Sequence, residues 1–343
     1  MANNKLKIAL IGAGVMGTKH AVKILQSKNL AGELSFVVEP SRTSLKKFKS
    51  IIGAKKSKQI TFVTSFGELI EKYTDQFQAA IVVVPSKIHF QCAEALLKIG
   101  KHCLVEKPLG FSVSECKALD NLANKNKAIL QVGMLERWNL GRLWQEWRPD
   151  FKNFHLVCAR KSPFVERAAD VDVVYDMMIH DIDCYMLLER VFKLPPIKSI
   201  RSYGRKVRSD KFDFAHAELK LEDGSIIVFH STRLSPVVQR TWSLVSGNWH
   251  ATVDFLNREL VKFERKRSNS KDFNISKNKW RIGDPLLMEI EAFVQRINGN
   301  YQSRFKKQSI SRFCQPEELI PSGHSVLRTH EIVDKIFSKL KSV

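Results

Sequence analysis

The sequence predicts an α/β protein: an N-terminal doubly wound parallel sheet over residues 1–135, then an α+β domain over 136–343 carrying a large open, mainly antiparallel sheet. Three observations predict it. Short apolar runs alternate with helically spaced stretches through the first part of the chain, the signature of strand-helix-strand units. A glycine-rich turn joins the first strand to the first helix. After "RWN" the apolar spacing changes to every second residue, as in half-buried antiparallel strands. A chain of 343 residues is also too long for one ordinary core and suits two domains.

The elements follow in order. "KIALIGAGVMGTKHAVKILQ" gives an apolar strand from Lys7 to Ile11, a turn, and helical spacing through Val15, Ala21, Val22 and Leu25. Gly12, Gly14 and Gly17 fit G-x-G-x-x-G: the first permits the turn, the second lets a pyrophosphate approach the backbone, and the third allows close helix packing. Val15 and Met16 would then sit at the helix N-terminus that receives the phosphate. The next strand, "LSFVVE", ends at Glu39, twenty-two residues beyond Gly17, where a carboxylate can bind ribose hydroxyls and favour NAD. Arg42, three residues later, could instead meet a 2'-phosphate, which keeps NADP open.

"QITFVT" reads as a strand, "FGELIEKY" as a helix, "AAIVVVP" as a buried strand and "HFQCAEALLKIG" as a helix; "HCLVEKP", a helix at "SVSECKALDNLANKN" and "AILQVGM" complete the alternation. Ligands of such sheets bind at the carboxyl ends of the strands. That draws attention to the exits "VVPSKIH" and "VEKP". Lys107 precedes Pro108, so its backbone is pushed toward extended or turn geometry. It is either a lysine held at a cleft mouth or a surface lysine at a strand end.

In the second domain "FHLVCARK", "SIRSYGRKV", "DFAHAELKLEDGSIIVFHSTRL" and "TWSLVSGNWHATVDFLNRELVKFER" alternate as strands do, with Asp223-Gly224 as a hairpin turn. Helices return at "DPLLMEIEAFVQRING" and "GHSVLRTHEIVDKIFSKL", the last able to pack back on the first domain. Between the first two strands lies "DMMIHDIDCYMLL", helical in spacing, with Asp176, His180, Asp183 and Leu187 on one stripe. Read alone, His180 is a satisfied core histidine and the aspartates are caps or solvated positions; read beside a nucleotide site, the stripe is chemistry.

The formal charge of +21, from 56 Lys and Arg against 35 Asp and Glu, raises the question of polyanionic partners. The basic residues are spread along the chain with no helix-turn-helix, finger or RNA-binding signature, so a solvated lysine-rich surface is expected and no nucleic-acid partner. Six cysteines, at 92, 103, 116, 158, 184 and 314, show no CxxC pair and no metal-ligand spacing, which suits a reducing compartment and no metal. The first residues hold too short an apolar run for a signal peptide, and no run approaches membrane-spanning length. The expectation is a cytoplasmic chain without an integral membrane segment.

Four separated segments, "LIGAGVMG", "VVVPSKIHFQCAEALLKIGKHCLVEKPLG", "QVGMLERWN" and "DMMIHDID", occur in the order found in the Gfo/Idh/MocA family of NAD(P)-dependent oxidoreductases, and the chain resembles that family over nearly its whole length. The resemblance implies a Rossmann domain followed by an α/β domain with a large open sheet, often used for oligomerisation. It makes Lys107 the lysine of the EKP motif and gives Asp176 and His180 the other catalytic places. Val84 and Pro85 fall at the exit of the fourth strand, and His89 and Glu106 near the nicotinamide end of the cofactor. Met178 stands where the family commonly has glycine, and Val84 where it commonly has threonine. Within the family the chain looks most like the branch containing UDP-N-acetylglucosamine 3-dehydrogenases, with Met134 as a departure.

Oxidising a secondary alcohol requires hydride transfer to the nicotinamide while a base removes the hydroxyl proton. The expected roles are His180 as base, Lys107 as the group that polarises and orients the oxygen, and Asp176 as the positioning carboxylate, with Asp183 structural. Arg137, Arg160 and Lys161 are candidates for anionic groups of a sugar or nucleotide-sugar substrate. The alternatives are an inositol or simple-sugar dehydrogenase or reductase, and a non-catalytic dinucleotide- and sugar-binding regulator. The open sheet predicts a homodimer or homotetramer through the C-terminal domain.

Overall fold

The computed structural model describes residues 5–147, 151–166, 170–247, 249–266, 272–299 and 316–342. They fall into two compact units, one drawn from 1–135, 283–309 and 320–327, the other from 136–282, 310–319 and 328–343.

The first unit holds six parallel strands, β1 (Leu6–Ile11), β2 (Gly32–Val38), β3 (Thr61–Val63), β4 (Ala79–Val82), β5 (His102–Glu106) and β6 (Leu130–Gly133), in the order β3-β2-β1-β4-β5-β6. The order reverses between β1 and β4, which makes this a Rossmann sheet with its switch point beside the glycine turn. Helices cover both faces, so β4 is buried at every position and reads as a continuous apolar run. The helices are α1 (Val15–Gln26), α2 (Arg42–Ile52), α3 (Ala54–Ser57), α4 (Phe66–Tyr73), α5 (His89–Lys98) and α6 (Val113–Lys125). "FGELIEKY" is α4 residue for residue, because Ser65 caps it by accepting from the Glu68 amide; Ser112 does the same for α6 from Glu115.

A later segment returns to this unit. Helix α9 (Pro285–Ile297) buries Leu286, Ile290, Phe293 and Val294 in one cluster with Leu6, Ile8, Ile24 and Leu30. Its N-cap, Asp284, accepts from the Leu287 amide and pairs with Lys23 of α1 at 2.6 Å. Burial of four such side chains is worth on the order of 6–12 kcal/mol at most, comparable with the whole stability of a domain, so α9 is part of this core.

The second unit is organised on nine strands: β7 (Phe154–Lys161), β8 (Ile197–Arg205), β9 (Phe214–Leu221), β10 (Ile226–Thr232), β11 (Gln239–Ser246), β12 (Trp249–Asp254), β13 (Glu259–Arg265), β14 (Phe273–Lys279) and β15 (Lys341–Ser342). Their order is β14-β13-β12-β11-β7-β10-β9-β8-β15, and all pairs are antiparallel except β7 with β10 and β8 with β15. β9 alternates buried and accessible positions, and Asp223-Gly224 turns it into β10 with Gly224 at φ +89°. Helix α7 (Glu136–Glu146) and the edge strand β14 lie beyond what spacing alone suggested. Helix α8 (Ile179–Phe192) lies against the sheet, with the Tyr185 ring 6.0 Å from Phe229 of β10. Helix α10 (Leu327–Ser338) closes the unit from Arg328 onward.

Cys92, Cys103, Cys116, Cys158 and Cys184 are buried and form no disulfide among the described residues; Cys314 lies outside them. No described helix is long and apolar enough to cross a membrane.

Candidate active site

The first unit presents a dinucleotide cradle at the β1 exit. Gly12 has φ +101°, and a Cβ there would come 2.5 Å from the Val83 carbonyl oxygen; a Cβ on Gly17 would come 2.0 Å from the Gly12 oxygen. Both positions therefore exclude a side chain. Gly14 differs, since no atom lies within 4 Å of where its Cβ would be. It caps α1 without offering a side chain, so the amides of the first turn receive no side-chain cap from it. An uncapped helix N-terminus with a clear approach fits a pyrophosphate. Val15, at that terminus, is 54% exposed.

Glu39 closes the cradle from the end of β2. Its Oε2 accepts from the Ala13 amide and its Oε1 from the Ser41 amide, both at 2.9 Å, which fixes the carboxylate beside the glycine turn. Each oxygen keeps a lone pair for a ribose hydroxyl. Arg42 opens α2 and is exposed.

At the exits of β4 and β5, Val84 is half-buried, Pro85 exposed and His89 buried. His89 sets Nδ1 2.7 Å from the Pro108 carbonyl oxygen and Nε2 2.9 Å from that of Val84. Burial lowers its pKa against the pull of those two carbonyls. The neutral ring has one N–H, so at neutral pH only one of the two contacts is a hydrogen bond. His89 thus acts as a strut between the two strand exits. Glu106, the last residue of β5, accepts from His20 Nε2 at 2.8 Å, and half-buried Lys107 follows it.

The second unit carries the charged run quoted above, and the structure sorts its charges into two kinds. Residues Val174–Met178 form a π-helical turn that leads into α8. From 171 to 188 every residue is buried except Asp176 and His180, which are half-exposed. The expected single stripe is therefore divided: the π turn changes the rotation after Asp176, and Asp183 and Leu187 belong to the interior.

Asp183 receives Arg137 through two bonds, Nε to Oδ2 and Nη2 to Oδ1, each 2.6 Å, and a third from Thr329 Oγ1 at 2.8 Å. Asp181 receives Arg160 Nε at 3.0 Å and Nη2 at 3.2 Å, with Trp242 Nε1 at 3.0 Å. Arg160 also reaches Glu136 at 3.2 Å. Burial alone would raise the Glu136 carboxyl, but Arg160, Asn139 and Arg240 hold it below its ordinary range.

These pairs correct one expectation. Arg137 and Arg160 are 1% and 4% exposed and committed to carboxylates of their own chain, so neither offers a guanidinium to an incoming anion. Lys161, at the end of β7, remains half-buried. Met178 and Met134, the two departures from the family pattern, are both buried. Spacing could not have found Glu136, Trp242 or Thr329, which meet these charges only through tertiary packing; His20 is another such case.

Residues 6–134 match the family model for the oxidoreductase family GFO_IDH_MocA, NAD-binding Rossmann fold. The chain is 26% identical over 260 residues to UDP-N-acetylglucosamine 3-dehydrogenase of Acidithiobacillus ferrooxidans, spanning 76% of this chain and 77% of that one. The solved structure of that enzyme superposes with a TM-score of 0.78 at 23% identity, covering 98% and 97% of the two chains. Inositol 2-dehydrogenase/D-chiro-inositol 3-dehydrogenase of Halalkalibacterium halodurans is 26% identical over 184 residues, 52% of this chain and 51% of that one. The WlbA dehydrogenase of Bordetella pertussis, solved with NADH and UDP-GlcNAcA, shares the fold with a TM-score of 0.71 at 16% identity, over 98% and 96% of the chains.

Proposed function

We propose that this chain, whose residues 6–134 match the Gfo/Idh/MocA oxidoreductase family model with its NAD-binding Rossmann fold, oxidises a secondary hydroxyl of a nucleotide sugar. The observation that carries the reading is the sorting of charges in the 176–188 run. Two acids are neutralised by buried arginines, while Asp176 and His180 alone are left accessible. That a packed segment keeps its two accessible positions for a carboxylate and an imidazole supports a reacting role for them.

NAD, when bound, supplies the hydride acceptor. His180 removes the hydroxyl proton, since imidazole titrates near neutrality. Lys107 donates a hydrogen bond to the same oxygen and orients it, and Asp176 positions the sugar. Glu39 holds the adenosine ribose, the amides behind Gly14 take the pyrophosphate, and Lys161 meets the substrate's anionic group. The nucleotide-sugar assignment draws on the A. ferrooxidans relative, whose name gives UDP-N-acetylglucosamine as its substrate. The inositol dehydrogenase relative supports a second reading, oxidation of a free polyol. We also place oligomer formation on the nine-stranded sheet, whose strand β14 is accessible along its whole length.

Thermal-shift screening separates the two substrates, because a ligand of the native state raises its stability by about 2.7 kcal/mol at a hundredfold excess over Kd. UDP-sugars should raise Tm in the presence of NAD, and inositol should not. A shift with inositol alone would replace the nucleotide-sugar reading.

A further inference from the structure

Three titratable side chains, two buried and one half-buried, lie together at the base of the β5 exit, and the chemistry above uses none of them directly. His20 in α1, Glu106 at the end of β5 and Glu289 in α9 place one ligand atom each within 4.8 Å of one another. His20 and Glu289 are 0% exposed. His20 Nε2 donates to Glu106 Oε1 at 2.8 Å. Both oxygens of Glu289 are buried and lack a hydrogen-bond partner among the described residues, and no described cation forms an ion pair with it.

The surroundings of Glu289 are otherwise settled. Gln131 Nε2 of β6 donates to its backbone oxygen at 2.9 Å, Arg296 Nη1 of α9 reaches Gln131 Oε1 at 3.4 Å, and the Met134 amide is bonded to the Val132 oxygen at 2.9 Å. The remaining titratable neighbours, Lys107 and His89, act on Glu106. An ionised Glu289 would therefore be a desolvated anion beside a second anion, with only the Met134 amide, already bonded to Val132, to offset its charge. The un-ionised acid carries an O–H, and the Glu106 carboxylate is at hand to accept it. Glu106 Oε1 already serves His20; Oε2 lies over Gly133, where a Cβ would come within 2.9 Å of it, so a side chain there would deny it room.

We propose that Glu289 is held as a neutral carboxylic acid that donates its proton to Glu106, so that one proton serves two carboxylates and Glu106 is gripped by His20 from α1 and Glu289 from α9. Glu289 is then a positioning residue: it acts through Glu106 on the adjacent Lys107. That consequence for turnover rests on the role given to Lys107; the protonation does not. Burial and then the charge of Glu106 push the Glu289 carboxyl well above the ordinary range. His20 and the positive charge of Lys107 keep Glu106 low against its burial. Such a pair titrates as a unit.

The test uses full-length protein with 13C-labelled glutamate side chains. At pH 7.5 one carboxyl resonance should sit at the position of an un-ionised acid and vanish in Glu289→Gln. A Glu289 resonance at the carboxylate position, or a divalent metal retained after purification in wild type and lost in Glu289→Gln, would overturn the assignment. Linkage gives a second readout. A group whose pKa is raised by folding destabilises the fold increasingly as pH climbs above its unfolded value near 4.3, so Tm of Glu289→Gln relative to wild type should rise between about pH 5 and 8. A constant difference would contradict the proposal. For positioning, Glu289→Gln keeps a neutral donor and should retain a kcat about tenfold or more above that of Glu289→Leu at equal NAD affinity. Equal kcat in the two variants would remove the positioning role. Loss of the Lys107 role instead would show as normal turnover in Lys107→Ala with the acid resonance intact.

Discussion

Arg137 and Asp183 form a two-bond ion pair, both distances 2.6 Å and both side chains 1% exposed, between the first helix of the second unit and α8. Removing one partner strands the other charge in the interior. Arg137→Met should lower stability in urea titration by about 3–5 kcal/mol, and Arg137→Met with Asp183→Leu by less than the single change. A single variant within about 0.5 kcal/mol of wild type would show that the pair does not hold α8.

The glycines of the turn should separate folding from binding. Gly17→Ala brings a Cβ 2.0 Å from the Gly12 oxygen, so the fold should lose about 1–3 kcal/mol or more. Gly14→Val enters open space and should leave Tm nearly unaltered while NAD affinity falls roughly tenfold or more. Calorimetry of NAD binding beside thermal melts checks both.

Glu39 ties the ends of β1 and β2 through the Ala13 and Ser41 amides. Glu39→Ala removes the ribose acceptor while Arg42 stays available for a 2'-phosphate. Kd for NAD should rise about tenfold and the NAD over NADP preference should narrow. An unaltered ratio of the two affinities would assign cofactor choice elsewhere.

Asp213 anchors the loop before β9, accepting from the amides of Val207, Arg208 and Ser209 and from Arg233 Nε at 2.7 Å. Burial alone would raise its carboxyl, but these donors hold it well below the usual range. A depressed folded pKa contributes stability above the unfolded value near 3.9 and loses it as pH falls through the folded one. Asp213→Asn should cost about 2 kcal/mol at pH 7, and its deficit should shrink steadily below about pH 5. A deficit independent of pH would contradict this.

The fold was legible in the sequence where the rules are local. "GAGVMG" names a turn that only glycine can make at 12 and 17, and the buried strand "AAIV" differs in period from the half-buried "FHLVCARK". Much of the candidate site is legible too, since the acidic and basic residues of "DMMIHDID" stand out against their apolar neighbours. What remained hidden is decided by contacts between distant residues. Arg160 looked like a free cation because its partner Asp181 lies twenty-one residues on, and Arg137 because Asp183 lies forty-six on. The π turn at Val174–Met178 has no residue signature, so a regular helical stripe was drawn through Asp183. Helix α9 reads as part of the second domain until Ile290 and Phe293 are seen in the core with Ile8.

His180 is proposed above as the base for hydride transfer from a nucleotide sugar to NAD. The direct measurement is NADH absorbance on mixing enzyme, NAD and UDP-N-acetylglucosamine, in wild type and in His180→Ala at matched NAD occupancy. The wild type should form NADH, and the variant should do so at a rate lower by about 10²–10⁴. Equal rates in the two would contradict it.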